Sequence, residues 1–320
     1  MIEVGVTSWA VFNGIVLLLL LLDLGVFHRS AERVSVRQAL VWSAFWIALS
    51  LIFNGWIYHT HGSDKGMEFL AGYILEKSLS VDNLFVFLLI FSYFKVPSEL
   101  QHRVLFFGIL GALVLRGIFI YLGVKLVQEA AWVLYIFGAF LIYSGIKLLT
   151  HEDDDDANPE NFVVRAFRKR VPLTDGFRDQ KFWVVEEGVR KATPLLLVLV
   201  AVETSDVLFA VDSIPAVFGV TKDPFIVYTS NVMAILGLRA LYFALAGLVE
   251  YFHYLKYGLA FILIFIGSKM LGEKYLHLPI AVELGIIGAL LGLSVAASLL
   301  FPQKPDEKIE EALEETEEAS

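Results

Sequence analysis

Five carboxyl side chains stand inside apolar runs long enough to cross a bilayer, and their types and spacing suit a hard cation. Glu76 and Asp82 share one run with Lys77, Ser78, Ser80 and Asn83. Glu203, Asp206 and Asp212 share another with Thr204, Ser205 and Ser213. An aspartate at a span centre costs about 2.5–3.5 kcal/mol on insertion scales, so five acids exceed about 10 kcal/mol unless something positive compensates them. Arg116 and Arg239, in two further apolar runs, neutralise at most two, and Lys77 a third. With all five ionised, two negative charges remain, the charge a divalent cation balances. Carboxylate, amide and hydroxyl oxygens, with no cysteine in the chain and no histidine in these runs, suit Mg²⁺, Ca²⁺ or Mn²⁺ alike. The candidate metal residues are Glu76, Asp82, Asn83, Glu203, Asp206 and Asp212. Lys77, Ser80, Ser205, Arg116 and Arg239 surround them or compensate their charge.

Helical spacing decides which of these converge. At about 100° per residue, Glu76, Ser80 and Asn83 fall on one face, while Asp82 lies about 120° from Glu76. Glu203 and Asp206 are one turn apart, and Asp212 points roughly opposite Glu203. Pro215 has no N–H for the Val211 carbonyl, so a helix break is expected near Asp212-Ser213, which would swing that carboxylate and bare a backbone oxygen. Other polar or small residues in the runs have plainer readings. Asp23 and Glu283 lie near span ends, where a side chain can snorkel to water. Gly108, Gly111, Gly145 and Gly267 permit close helix packing. Lys147 and Lys269 read as interfacial anchors, and Asn54 and Asn231 as interhelical hydrogen-bond donors.

The elements that carry these residues follow from composition. The 320 residues are 57% hydrophobic and 18% charged, against about 45–50% apolar and about 25% charged in soluble domains. An all-α polytopic membrane bundle is expected, because the apolar runs are continuous and about twenty residues long, whereas barrel strands alternate. Windows of about nineteen residues give nine spans: 9–27, 38–58, 67–93, 104–125, 131–149, 194–218, 226–249, 255–271 and 279–301. No Lys or Arg precedes the first run, so it reads as a retained span rather than a signal peptide. Residues 1–60 hold the first two spans. A polar cytoplasmic loop, 150–193, and an acidic cytoplasmic tail, 302–320, complete the chain. Both are read as solvated, including the acidic run at 152–156. The net charge of −9, with no basic stripe apart from membrane-flanking loops, argues against nucleic acid as a partner. Lys and Arg gather on one side of the spans, from Arg29, Arg33 and Arg37 through Lys95 and Arg103 to Arg165–Lys191. The positive-inside rule then puts the N-terminus outside and the C-terminus in the cytoplasm.

The chain also repeats itself. Asp82-Asn-Leu-Phe-Val-Phe87 resembles Asp206-Val-Leu-Phe-Ala-Val211, 124 residues on. Arg116 pairs with Arg239 at 123, and the stretch 135–149 with 257–271 at 122, keeping Gly145 with Gly267 and Lys147 with Lys269. Pairing Val81-Asp82-Asn83 with Val211-Asp212-Ser213 matches locally but loses register afterwards. Each unit, 67–149 and 194–271, holds three spans. Three is odd, so the second copy starts from the opposite face, the inverted repeat of many secondary transporters.

The stretch EKSLSVDNLFVF from Glu76 and the stretch VETSDVLFAVDSIPAVF from Val202 resemble the paired signatures of the TerC family, especially its Alx-like branch. TKDPFIVYTSNVMAILGLRALYF from Thr221 fits the same branch, and the resemblance covers roughly residues 35–300. It implies a bacterial inner-membrane protein of the lysine-exporter superfamily that exports Mn²⁺ or keeps manganese in balance, with no prosthetic group. By position it marks Glu76, Asp82, Glu203, Asp206 and Asp212 as the metal-site acids, with Asn83 and Ser205 beside them. Export by alternating access between the repeats is the leading expectation, with protons as counter-ion when emptied carboxyls return. A membrane scaffold or metal-delivery factor for exported proteins is the alternative, and it would require membrane-protein partners. An intramembrane aspartyl hydrolase fits poorly, since no Gly-x-Gly-Asp element is present. Oxyanion transport would call for cationic lining, and these runs carry more acids than bases.

Overall fold

The computed structural model describes residues 5–27, 36–150, 161–186, 188–246, 254–273 and 278–301, and of residues 23–27, 82 and 246 it describes the backbone. The acidic run at 152–156, the tail from 302 and the side chains of Asp23 and Asp82 lie outside the described residues.

Eleven helices and one hairpin are described. The helices that meet the membrane windows are α1 (Val6–Phe27), α2 (Val36–His61), α3 (Ser63–Tyr93), α4 (Ser98–Glu129) and α5 (Val133–Thr150). The loop holds α6 (Phe162–Arg170), β1 (Trp183–Glu186) and β2 (Val189–Ala192). Then follow α7 (Pro194–Val220), α8 (Pro224–Ile235), α9 (Leu238–Ala246), α10 (Leu255–Leu271) and α11 (Ile280–Leu300). The described residues of the nine windows are largely helical; window 226–249 is divided between α8 and α9, and its last three residues lie outside the described residues. Among the described residues five helices, α2, α4, α5, α7 and α11, are long and apolar enough to cross a membrane, and α8 with α9 makes a sixth if the bent pair is one span. The 31-residue α3 is long enough but carries Glu76, Lys77 and Asp82 along its middle. Apolar side chains such as Leu18, Ile52, Val114 and Leu293 point outward from the bundle, as contact with acyl chains requires.

The core is built where α3 packs on α7 and α8, and α4 packs on α7. Glycines set the closeness of these approaches. A Cβ on Gly108 would lie 3.0 Å from Val202, and one on Gly123 2.8 Å from Phe218. Position numbers rise together along the two helices, so α4 and α7 run parallel. In the α5–α10 contact, a Cβ on Gly138 would meet the Gly267 carbonyl at 2.9 Å, and one on Gly145 the Ala260 carbonyl at 2.7 Å. Here numbers rise on one helix as they fall on the other, so this pair is antiparallel. Gly138 and Ala260 are 122 residues apart, as are Gly145 and Gly267, so the contact is reciprocal: each position meets the counterpart of the other. Gly267→Leu should separate α5 from α10 and lower the unfolding temperature by several degrees. Gly288→Ala on α11, where nothing lies within 4 Å, should hold or raise it, since Ala exceeds Gly in helix preference by about 1 kcal/mol. Thermal unfolding in detergent measures both.

Two expectations need correction. The helix break near Asp212-Ser213 is absent, for α7 runs unbroken from Pro194 to Val220 with Pro215 inside it. Ser213 to Val220 are buried without interruption, and packing all round holds the turn that the missing N–H would otherwise loosen. The break falls one helix later, between α8 and α9, which bend by 42° around Gly237. A Cβ there would lie 2.8 Å from the Cβ of Trp46. Within the 150–193 loop the described residues carry local structure. Asn161 caps α6 by accepting from Val164 N at 3.0 Å, buried Val164 helps seat that helix on α7, and Trp183–Glu186 pairs antiparallel with Val189–Ala192. Finally, Glu283 and Lys269 do not reach for water.

Their pairing ties three helices. Lys269 Nζ lies 2.6 Å from Glu283, which is 3% exposed, and donates to the Gly219 carbonyl at 3.0 Å, so α7, α10 and α11 meet in one knot. Nearby in sequence, Asp223 caps α8 by accepting from Phe225 N and Ile226 N, and Lys65 reaches both Glu68 and Asp223. Lys269→Met should cost about 3 kcal/mol or more by leaving Glu283 buried without its cation. Adding Glu283→Leu should return most of the loss, a non-additivity that thermal unfolding of the single and double variants reads directly.

Candidate intramembrane cation site

At the junction of α3, α4, α7 and α8 lies Arg116, 1% exposed. Its side chain leaves the middle of α4 and ends among acids from two other helices. Nη1 pairs with Glu76 Oε1. Nη2 donates to Asp206 Oδ1 at 3.1 Å and Nε to Asp206 Oδ2 at 3.4 Å, a side-on fork that uses both carboxylate oxygens. Nη1 also donates to Ser213 Oγ at 3.3 Å. Glu76 is fully buried, and its second oxygen accepts from Asn231 Nδ2 at 2.7 Å, with Ser80 Oγ 3.4 Å from the first. Ser80 and Asn83 are buried along the same helix. One guanidinium therefore holds an acid from residues 67–149 against an acid from residues 194–271.

Glu203 stands one turn before Asp206 on α7. Its carboxylate fills the space over Gly111, where any Cβ would collide with it, and its Oε2 is buried without a hydrogen-bond partner. Gly111 was expected to serve helix packing; the void it leaves seats a carboxylate instead. Asp212 faces another way, as the helical angle predicts, and accepts from Ser144 Oγ of α5 at 2.8 Å. Ser205 donates to the Ala201 carbonyl of its own helix at 3.0 Å. Lys77 donates to the Ala234 carbonyl at 3.1 Å, a cation at the C-terminal turn of α8. Arg239 is buried on α9, just past the bend.

Glu76 and Asp206 thus meet, Glu203 adjoins them along α7, and Asp212 lies on a different face. Among the described residues no three acids or histidines are grouped closely enough to hold a metal. Arg116 stands between Glu76 and Asp206, and with Glu203 these four groups sum to −2 when ionised. Such a site is charged for a divalent guest and already holds a tethered monovalent one. Asn231, Ser213 and Ser144, which bond to this constellation, were not among the expected site residues. The signal for Asn231 was there: an amide inside an apolar window. Ser213 was marked only as sharing a run with the acids and Ser144 not at all, since a hydroxyl in a helix can always turn to its own backbone.

The integral membrane protein TerC family matches residues 61–306 of the chain. An uncharacterized membrane protein of Myxococcus xanthus, STKORF319, is 50% identical over 292 residues, covering 91% of this chain and 92% of its own. The putative membrane-bound redox modulator Alx of Escherichia coli K12 is 50% identical over 292 residues, covering 88% and 91%. An uncharacterized membrane protein of Rickettsia bellii is 42% identical over 295 residues, covering 92% and 97%. No solved structure matches the chain.

Proposed function

The chain belongs to the TerC family of integral membrane proteins, and from that premise we propose that it is a secondary transporter that exports Mn²⁺ from the cytoplasm. One observation carries the reading: Glu76 and Asp206, buried on helices from different halves of the chain, converge on one guanidinium. A buried ion cluster is a poor device for stability alone, because apolar side chains of the same volume commonly serve as well or better. Its use is in binding. Carboxylates with amide and hydroxyl neighbours, in a chain without cysteine, are the ligands of a hard divalent ion. Glu76 and Asp206 form the centre of the proposed site, with Asp82, Asn83, Glu203 and Asp212 along the same two helices.

Nine spans and the inverted repeat complete the proposal. The reciprocal contact of α5 with α10 supports the repeat, since two antiparallel helices related by a two-fold axis must touch through exchanged counterparts. Units 67–149 and 194–271 would rock about a midplane site in the bacterial inner membrane, N-terminus outside and C-terminus inside, with protons returning on the emptied carboxyls. The naming of the Alx relative as a membrane-bound redox modulator is compatible with this. A chain without cysteine can shift redox balance through the metal it moves, not through its own thiols.

Cellular manganese under Mn²⁺ load tests the proposal. Cells with the wild-type chain should accumulate less than cells with Asp206→Asn or Asp82→Asn at equal protein level. Equal accumulation in all three would remove export.

A further inference from the structure

Glu203 is unexplained by the ion cluster beside it. Its Oε2 is buried without a hydrogen bond, and α4 opens a glycine-sized void to admit the carboxylate. Asp206 lies three residues further along α7, about 4.5 Å in rise and about 60° round the axis. Arg116 now grips Asp206, and side chains on α4 lean toward that helix's N-terminus. Since α4 and α7 run parallel, that lean is the direction in which Glu203 and Gly111 lie, whereas the present bond to Ser213 is on the far side of Asp206 and is the one a swing toward Glu203 would release.

We infer that Arg116 is a movable counter-ion and that Glu203 receives it: when a divalent cation occupies Glu76 and Asp206, the guanidinium passes to the Glu203 carboxylate. This rests on the transport reading. The charges close. Empty, the three carboxylates and the guanidinium sum to −2. Loaded, the cation neutralises Glu76 and Asp206 while Arg116 neutralises Glu203, leaving two balanced sets and no net charge in the bilayer. Without Glu203, the displaced guanidinium would be buried among apolar side chains with no anion, at a cost set against cargo binding. Direction follows too. Glu203 precedes Asp206 on α7, which places it on the cytoplasmic side of the cargo in the proposed orientation. A guanidinium held there stands behind the ion and repels it outward.

The test is Mn²⁺ binding by the full chain purified in detergent, read from the paramagnetic resonance of free Mn²⁺, in a double-substitution cycle. Glu203→Gln should weaken binding about tenfold or more, because Arg116 loses its acceptor. Adding Arg116→Gln should restore binding to the wild-type level or above, since nothing then needs a place to go. A double variant as weak as Glu203→Gln alone would make Glu203 a ligand of the ion and overturn the exchange. Unchanged binding in Glu203→Gln would overturn it while leaving transport standing, whereas no binding by the wild-type chain would take the transport reading with it. A second measurement avoids Arg116 variants. Asp206→Asn and Glu203→Gln together should lower the unfolding midpoint by more than the sum of their separate effects, because Arg116 leans on one acid when deprived of the other. Strict additivity contradicts the inference.

Discussion

Glu76→Gln is expected to weaken Mn²⁺ binding by the purified chain about 30-fold or more, from a loss of about 2 kcal/mol or more for a buried charged contact. Gln keeps the shape of Glu, so the packing of α3 against α8 is preserved and the change is one of charge. Glu76 is buried between three donors, Arg116, Asn231 and Ser80. Those donors hold its carboxylate in place without competing for all of its lone pairs. The cation would share oxygens that Asn231 and Ser80 already orient, and a neutral amide offers one weaker oxygen in their stead. Calorimetry or the free-ion resonance gives the affinity, and circular dichroism confirms the helices. An unchanged affinity in a folded variant would remove Glu76 from the site.

Arg116→Met should have the larger effect on the protein itself. With no divalent ion present it leaves Glu76 and Asp206 buried without their guanidinium, at about 3–5 kcal/mol. Excess Mn²⁺ should return much of this, because a ligand at about 100 times its dissociation constant stabilises the folded form by about 2.7 kcal/mol. Thermal unfolding with and without Mn²⁺ separates the contributions. Wild type should gain less from the metal than the variant, since its site is already partly satisfied by Arg116. A loss of stability that Mn²⁺ leaves untouched would assign Arg116 to packing alone.

Much of this arrangement is written in the sequence, for reasons that differ by residue. The helix windows are legible because bilayer thickness fixes the length of an apolar run, and helices occupy most of their described residues, though window 226–249 holds two, α8 and α9. Glu76 and Asp206 are legible because a carboxylate inside such a run is costly enough to need a reason. The sharing of one arginine is not legible. Counting charges allots Arg116 a single acid, whereas the folded chain lets its fork hold Asp206 while Nη1 reaches Glu76. The break at Pro215 fails for a related reason. Proline removes one hydrogen bond wherever it stands, but whether the helix parts depends on neighbours that sequence spacing does not supply, and here they enclose Ser213 to Val220. The residue that Gly237 must approach closely at the bend is Trp46, almost two hundred positions away. Glu283 likewise looked free to reach water until Lys269 and the Gly219 carbonyl were set beside it.

The most direct measurement is Mn²⁺ flux into vesicles reconstituted with the purified full chain and loaded with a manganese-quenched dye, under an imposed pH gradient. Transport predicts quenching well above protein-free vesicles, steepened by the proton gradient and abolished in Asp206→Asn. Quenching by the wild-type chain no faster than by empty vesicles, with the protein folded and inserted, would contradict it.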